Sequence, residues 1–253
     1  MSTPAGKSFP DHFSALAAEY ARYRPGYSDQ LIDWVADQAP RRHTVWDCGC
    51  GSGQATVALA RRFDRVIATD ASREQVRRVP ESPAVRRVAA TAEDSGLRPD
   101  SCDAVVVAQA LHWFDLPRFW QEVGRTARPG ALFAAWSYGM PTFADHGMNA
   151  LVAQLHNDVL GAYWPIERGQ VLNRYRDIVT PFTPVAVPSF AMHATWSLEA
   201  FAGYLRSWSA VRRYVDAHGF DPVAPVAAAL HADWGDRALA IEWPLAVVAG
   251  RVR

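Results

Sequence analysis

The sequence predicts an α/β fold: a mostly parallel sheet with helices on both faces. Two observations carry that expectation. Over some 90 residues from position 44, short apolar strand candidates alternate with helix-like stretches, as parallel strands joined by helical crossovers require. One candidate contains Val105-Val106-Val107, the continuous apolar run of a strand buried on both faces. The right-handed crossover rule then leaves few topologies.

Taken in order, residues 11–23 read as a helix, with Phe13, Leu16, Ala17 and Tyr20 on one stripe. Arg24-Pro25-Gly26 breaks it, because proline disfavours helix for the residue before it. Ser28 is a good N-cap for a second helix through Leu31, Ile32, Trp34 and Val35, ending at Pro40. Strands are expected at 44–46, 65–69, 84–90, 103–108 and 131–136. Helices are expected through Thr56 and Phe63, after Ser72, and over 116–127, with a turn at Arg128-Pro129-Gly130. Beyond Tyr138 the rhythm is lost. Residues 149–160 read as helix, 181–184 as a break, 190–196 as a strand, and 197–215 as one helix capped by Ser197. Strand character returns over 237–252, where Pro244 marks a bulge or an edge position. The expected division is a core of 28–139 with 237–253, and a second part of 1–27 with 140–236, an N-terminal helix and a mostly helical cap.

The chain has 253 residues, 49% of them hydrophobic and 21% charged, with 26 basic and 26 acidic side chains. That is a globular composition of a size for one large domain or a core with an insertion. Zero formal charge argues against a protein whose main task is gripping a polyanion. No apolar run approaches a membrane span, and the first residues lack a secretory apolar core. Three cysteines, two in Cys48-Gly49-Cys50, make no disulfide framework, and Cys-x-Cys lacks zinc-site spacing. The remaining histidines form no H-E-x-x-H pattern. A reduced, cytoplasmic protein without a metal site is expected.

The most informative segment is Val45-Trp46-Asp47-Cys48-Gly49-Cys50-Gly51-Ser52-Gly53-Gln54. A buried strand ends in three alternating glycines and a helix begins. Such a turn lets the backbone approach a ligand closely, and the helix start offers unpaired amides. Asp70, seventeen residues beyond Gly53, closes the next strand, where a carboxylate can accept from both ribose hydroxyls. The dinucleotide fingerprint needs a glycine at position 54, which is Gln54.

Asp47-x-Gly49-x-Gly51-x-Gly53 with Asp70 resembles the first two motifs of the class I S-adenosylmethionine-dependent methyltransferases. The stretches 92–97, 100–106 and 128–132 resemble the family's adenine-contacting segment, fourth strand and turn into the fifth. The likeness runs in order over residues 44–138. It implies a Rossmann-like fold with a seven-stranded, mostly parallel sheet and a helical cap. It also implies S-adenosyl-L-methionine as methyl donor, leaving S-adenosyl-L-homocysteine. Tyr20–Tyr27, Ala110–Asp115 and Tyr204–Ala210 resemble the small-molecule, trans-aconitate methyltransferase-like group. On the resemblance, Asp47, Gly49, Gly51 and Gly53 surround the methionyl part. Asp70 holds the ribose, Ala71, Ala92 and Glu93 border the adenine, and Gln109 lies beneath the sulfonium. Tyr20 and Arg24 are candidates to close over the methionyl carboxylate, since guanidinium binds carboxylate bidentately.

Methyl transfer from a sulfonium needs alignment and exclusion of water more than a base. A carboxylate acceptor is ionised at pH 7, whereas a phenol or amine needs deprotonation. His112, just past the fourth strand, is the candidate base, and Trp113 with Phe114 a candidate acceptor wall. Arg206 and Arg213, seven apart on one expected helix, would share a face suited to a polycarboxylate, flanking Ser207 and Trp208. The expected function is methyl transfer to a small molecule, a carboxylate foremost. The alternatives are O- or N-methylation of a phenolic or heterocyclic natural-product intermediate, or a non-catalytic ligand-binding protein that kept the fold. Neither a nucleic acid nor a membrane is an expected partner. Monomer and dimer both stay open.

Overall fold

The computed structural model describes residues 25–253. The helix expected over 11–23, with Tyr20 and Arg24, lies outside the described residues. Helix α1 (Asp29–Gln38) opens as its sequence predicts, with Ser28 accepting from the Leu31 amide. Then come β1 (Thr44–Cys48), α2 (Gln54–Leu59), β2 (Arg65–Asp70), α3 (Arg73–Arg78), β3 (Val85–Ala89) and β4 (Cys102–Ala108). A single 3₁₀ turn (Leu111–Trp113) separates β4 from α4 (Leu116–Thr126), which leads into β5 (Ala127–Tyr138).

The sheet runs β3-β2-β1-β4-β5 in parallel, and the long β8 (Leu239–Arg251) pairs antiparallel with β5. The two-residue β6 (Thr183–Pro184) lies outside β8, giving a seven-strand path. An eighth strand, β7 (Ala191–Trp196), pairs with the first half of β8. The 181–184 segment, expected as a break, thus supplies an edge strand, a position where proline is tolerated. Pro244 stands opposite Ala191, at the point where β8 passes from β7 to β5. Arg128-Pro129-Gly130 bulges out of β5: Cys102 faces Ala127, whereas Ala104 faces Leu132.

The period-2 alternation of strand side chains distributes the core. Ala104, Val106, Leu132 and Ala134 pack with Leu31, Ile32 and Val35 of α1 on one face. Val105, Val107, Phe133 and Ala135 pack with Phe119 and Val123 of α4 on the other. Full burial of a side chain such as Phe119 contributes about 1.5–3 kcal/mol. The base of the sheet is pinned by Asp103, fully buried, which accepts from the Thr44 amide at 2.9 Å and from Arg128 at 2.8 Å.

Between β5 and β8, the chain forms α5 (His146–Gln154) continued by a π turn (Leu155–Val159), α6 (Arg168–Leu172), α7 (Leu198–Arg206), α8 (Ser209–His218) and α9 (Val223–Trp234). The single helix expected over 197–215 is two. Ser207 turns its hydroxyl onto the Tyr204 carbonyl, and Trp208 is extended (φ −70°, ψ 132°), which breaks the helix between them.

Candidate functional site

The ends of β1, β2 and β4 converge on a cavity of about 520 Å³. Gly49, Gly51, Asp70, Ala71, Ala92, Glu93, Gln109 and Trp113, all nominated by the sequence, line it. Asp47 and Gly53 stand behind it. The turn is closed by the Cys50 amide on the Thr69 carbonyl (2.9 Å) and the Gly53 amide on the Cys50 carbonyl (2.9 Å). Gly49 and Gly51 both have left-handed backbone (φ +69° and +53°) but for different reasons. A Cβ on Gly49 would lie 2.6 Å from the Ala110 Cβ, so the loop presses against the residue after β4. A Cβ on Gly51 meets nothing within 4 Å. Gly53 packs against Val79 and Pro80 instead of facing the cavity.

Asp70 buttresses this loop from β2. Its Oδ2 accepts from the Gly51 amide at 2.9 Å and its Oδ1 from the Ser72 amide at 2.8 Å. Each oxygen keeps a further lone pair. Burial raises its pKa above the usual carboxylate value, and the two amides pull against that shift. Asp47 is fully buried. Its Oδ2 accepts from Thr56 Oγ1 at 2.5 Å, while Oδ1 has no partner. Burial pushes its pKa up to about 7, against the Thr56 hydrogen bond and with help from the nearby Asp70 charge. A positive group in the cavity would stabilise both carboxylates.

The far wall follows β4. Gln109 has a left-handed backbone (φ +57°), and its side-chain amide is taken up by the backbone of Tyr138. Gln109 therefore shapes the wall with its backbone, and its polar atoms are committed to β5. Glu93 accepts from the Asp115 amide at 2.9 Å, tying the end of β3 to the start of α4. Phe114, named with Trp113 as a candidate wall, lines it too, whereas the sequence reading missed Tyr27, Cys50, Arg73 and Arg77 among the lining residues. Tyr27 and Phe114 sit inside stretches quoted for the family likeness. Arg73 and Arg77, four apart on α3 just after Asp70, carried a helical-face signal of their own.

Other nominations fall elsewhere. His112 does not line the cavity: its Nδ1 lies 3.1 Å from Tyr175 Oη. Burial, assisted by the Arg168 charge, lowers its pKa to about 3, far too low for an effective base at neutral pH. Arg206 and Arg213 sit on separate helices, so the shared face does not exist. Arg206 binds Asp221 at 2.8 Å, and Arg213 donates to the Tyr163 carbonyl at 3.3 Å. Ser207 caps its own helix through Tyr204. Trp208 packs in an aromatic group with Trp164 and His156 (ring centroids 5.5 and 5.7 Å). None of the four lines the cavity.

Cys48, Cys50 and Cys102 are free and buried, and burial raises each thiol, Cys102 to about 11. Among the described residues no cluster of three His, Cys, Asp or Glu side chains could hold a metal. No helix among them is long and apolar enough to cross a membrane.

An adenosyl sulfonium fits what is present. Gly51 leaves room for it, Asp70 offers lone pairs where a ribose edge would lie, and an orphaned, buried carboxylate oxygen of Asp47 sits behind the loop. Strand order, glycine loop and the acid ending β2 together define the Rossmann-like methyltransferase class. A family model described as a methyltransferase domain matches residues 46–135. A Dictyostelium discoideum protein described as a methyltransferase is 32% identical over 223 residues, covering 86% of this chain and 84% of that one. A Saccharomyces cerevisiae protein described as an S-adenosylmethionine-dependent methyltransferase is 28% identical over 230 residues, covering 76% and 78%. A solved structure from Anaeromyxobacter dehalogenans, described as a type II methyltransferase, is 44% identical. It superposes with a TM-score of 0.86 over 91% of this chain and 98% of that one. The chain belongs to the class I S-adenosylmethionine-dependent methyltransferases.

Proposed function

We propose that this protein transfers a methyl group from S-adenosylmethionine to a small-molecule acceptor with a flat, apolar body. The observation that carries the reading is the cavity in which the glycine loop, hydrogen-bonded to Asp70, faces an aromatic wall. In this reading Asp70 accepts from the ribose hydroxyls, and Ala71, Ala92 and Glu93 border the adenine. Gly49 and Gly51 leave space for the methionyl part, and the buried Asp47 favours positive charge there. Tyr20 and Arg24, outside the described residues, are assigned to the methionyl carboxylate. When bound, the cofactor supplies a methyl group on a good leaving group. The chain's share is alignment and exclusion of water, effects that together are worth up to about 7–11 kcal/mol.

The acceptor class follows from the wall after β4. Tyr27, Trp113 and Phe114 line the cavity, whereas the arginines nominated for a polycarboxylate are engaged elsewhere. This favours the phenol or heterocycle reading over a polycarboxylate held by Arg206 and Arg213; the arginines that do line the cavity, Arg73 and Arg77, stand on α3 beside Asp70. We assign residues 28–139 with 237–253 to the cofactor core and the intervening 140–236 to the acceptor side, in a cytoplasmic enzyme.

Calorimetry with S-adenosylhomocysteine tests the donor assignment, with NAD(H) as control: binding of the first alone is expected, and binding of the second alone overturns it. Turnover across a panel of phenols, heterocycles and carboxylates tests the rest. Cofactor binding with no turnover anywhere would favour the non-catalytic reading.

A further inference from the structure

Directly after α6, two consecutive residues other than glycine, Arg174 and Tyr175, adopt left-handed backbone (φ +57° and +56°). Such conformations persist where the surroundings over-determine them, and they cluster at functional sites. Here the turn drives the Tyr175 ring inward, where it is 1% exposed. Its hydroxyl lies 3.1 Å from His112 Nδ1, and the Ser137 hydroxyl of β5 stands beside it without completing a good hydrogen bond. His112 in turn packs on Trp113 at 4.9 Å between ring centroids, and Trp113 lines the cavity.

We infer that Tyr175 is a positioning residue for methyl transfer: its hydroxyl, aimed by the strained turn, anchors His112 and so fixes Trp113 as the acceptor wall. The inference rests on the methyltransferase reading above. Burial holds the proton on the phenol and keeps it off the imidazole. In this arrangement the phenol donates, Nδ1 accepts, and the imidazole carries its hydrogen on Nε2. What the site requires of His112 is a hydrogen-bond acceptor at Nδ1, not a base. The Oδ1 of an asparagine can offer the same acceptor. Tyr175 belongs to the 140–236 segment and Trp113 to the core, so this bond adds a polar tie to the apolar packing of Val171 and Tyr175 with Leu111.

The test uses the full chain with Y175F, H112A, H112N and the double variant Y175F/H112A. With an acceptor found by the panel, Y175F and H112A are expected to lower kcat by at least about tenfold, as small misplacements do. The KM for cofactor should stay within about twofold. H112N should recover most of the loss, and the double variant should be no worse than H112A. The reading is overturned if H112N is as impaired as H112A, which marks a base, or if Y175F keeps wild-type kcat. A second readout needs no acceptor. The indole N–H resonance of Trp113, assigned with W113F, should move in Y175F and H112A and return in H112N. An unmoved resonance in Y175F refutes the anchor. If Y175F does not fold, H112A carries the same expectation with Tyr175 in place. If wild type fails to bind S-adenosylhomocysteine, the methyltransferase reading falls, while the Trp113 resonance still decides the anchor.

Discussion

The side-chain amide of Gln109 pairs both ways with the backbone of Tyr138: Oε1 accepts from its N–H at 2.9 Å, and Nε2 donates to its carbonyl at 3.1 Å. The Gln109 amide meanwhile donates to the Trp136 carbonyl at 2.8 Å. A side chain thereby adds one rung to the β4–β5 ladder after Ala108 and Trp136, the last backbone pair. The rung holds the two strands together just where the chain leaves for the acceptor wall, and the left-handed backbone of Gln109 is what turns its side chain across. Gln109→Ala should therefore destabilise the fold by about 2 kcal/mol, from two lost hydrogen bonds. Gln109→Gly loses the same bonds but relieves the strained φ, and should be milder than the alanine variant. Urea denaturation of the two variants decides the order.

The glycine loop separates fold from function. Gly49→Ala places a Cβ within 2.6 Å of Ala110 in a left-handed backbone, so stability should fall by several kcal/mol or folding should fail. Gly51→Ala puts its methyl into open space and incurs only backbone strain, about 1–2 kcal/mol. Because Gly51 lines the cavity, S-adenosylhomocysteine affinity should still drop at least about tenfold. Thermal melts and calorimetry on both variants read the two effects apart.

Asp70→Ala removes the acceptors of the Gly51 and Ser72 amides together with those assigned to ribose. S-adenosylhomocysteine binding is expected to weaken by at least about 1 kcal/mol. Unchanged affinity would mean that the ribose lies elsewhere.

Asp47 gives the protein a pH signature. Its pKa is about 7 when folded, against 3.8 for an ordinary aspartate in an unfolded chain, so between those limits the folded state binds more proton than the unfolded one. Stability therefore declines as pH rises from about 4 to about 7, and the loss is complete above that. Asp47→Asn keeps an acceptor for Thr56 and carries no charge. It should flatten this profile and stabilise the apo protein at pH 8 by on the order of 2–4 kcal/mol. Urea midpoints from pH 5 to 8 for both proteins provide the check; parallel profiles would show that Asp47 is not the group titrating.

Much of the fold and part of the candidate site were legible in the residues. The glycine spacing with Asp70, the Val105–Val107 run and the caps at Ser28, Ser72 and Ser197 are local signals, and local chemistry decides them. The residues expected to meet the acceptor were less legible, because tertiary contacts decide where they lie. Nothing in 197–215 announces that Ser207 will cap Tyr204 and stop the helix, so the apparent Arg206–Arg213 face dissolved. His112 looked like a base because its surroundings were invisible. Tyr175, 63 residues further along the chain, arrives only through a turn that its own sequence gives no reason to expect.

The thirteen-residue β8 has a consequence for how the molecule can move. Its first half is zipped to β7 and its second half to β5, so one backbone spans both regions without a joint. Pro244, at the crossover, contributes a fixed torsion and no amide hydrogen. A push delivered to β7 must travel along this beam into Tyr138 and the Gln109 rung. β7 and the rung beside the cavity are therefore carried on one continuous strand.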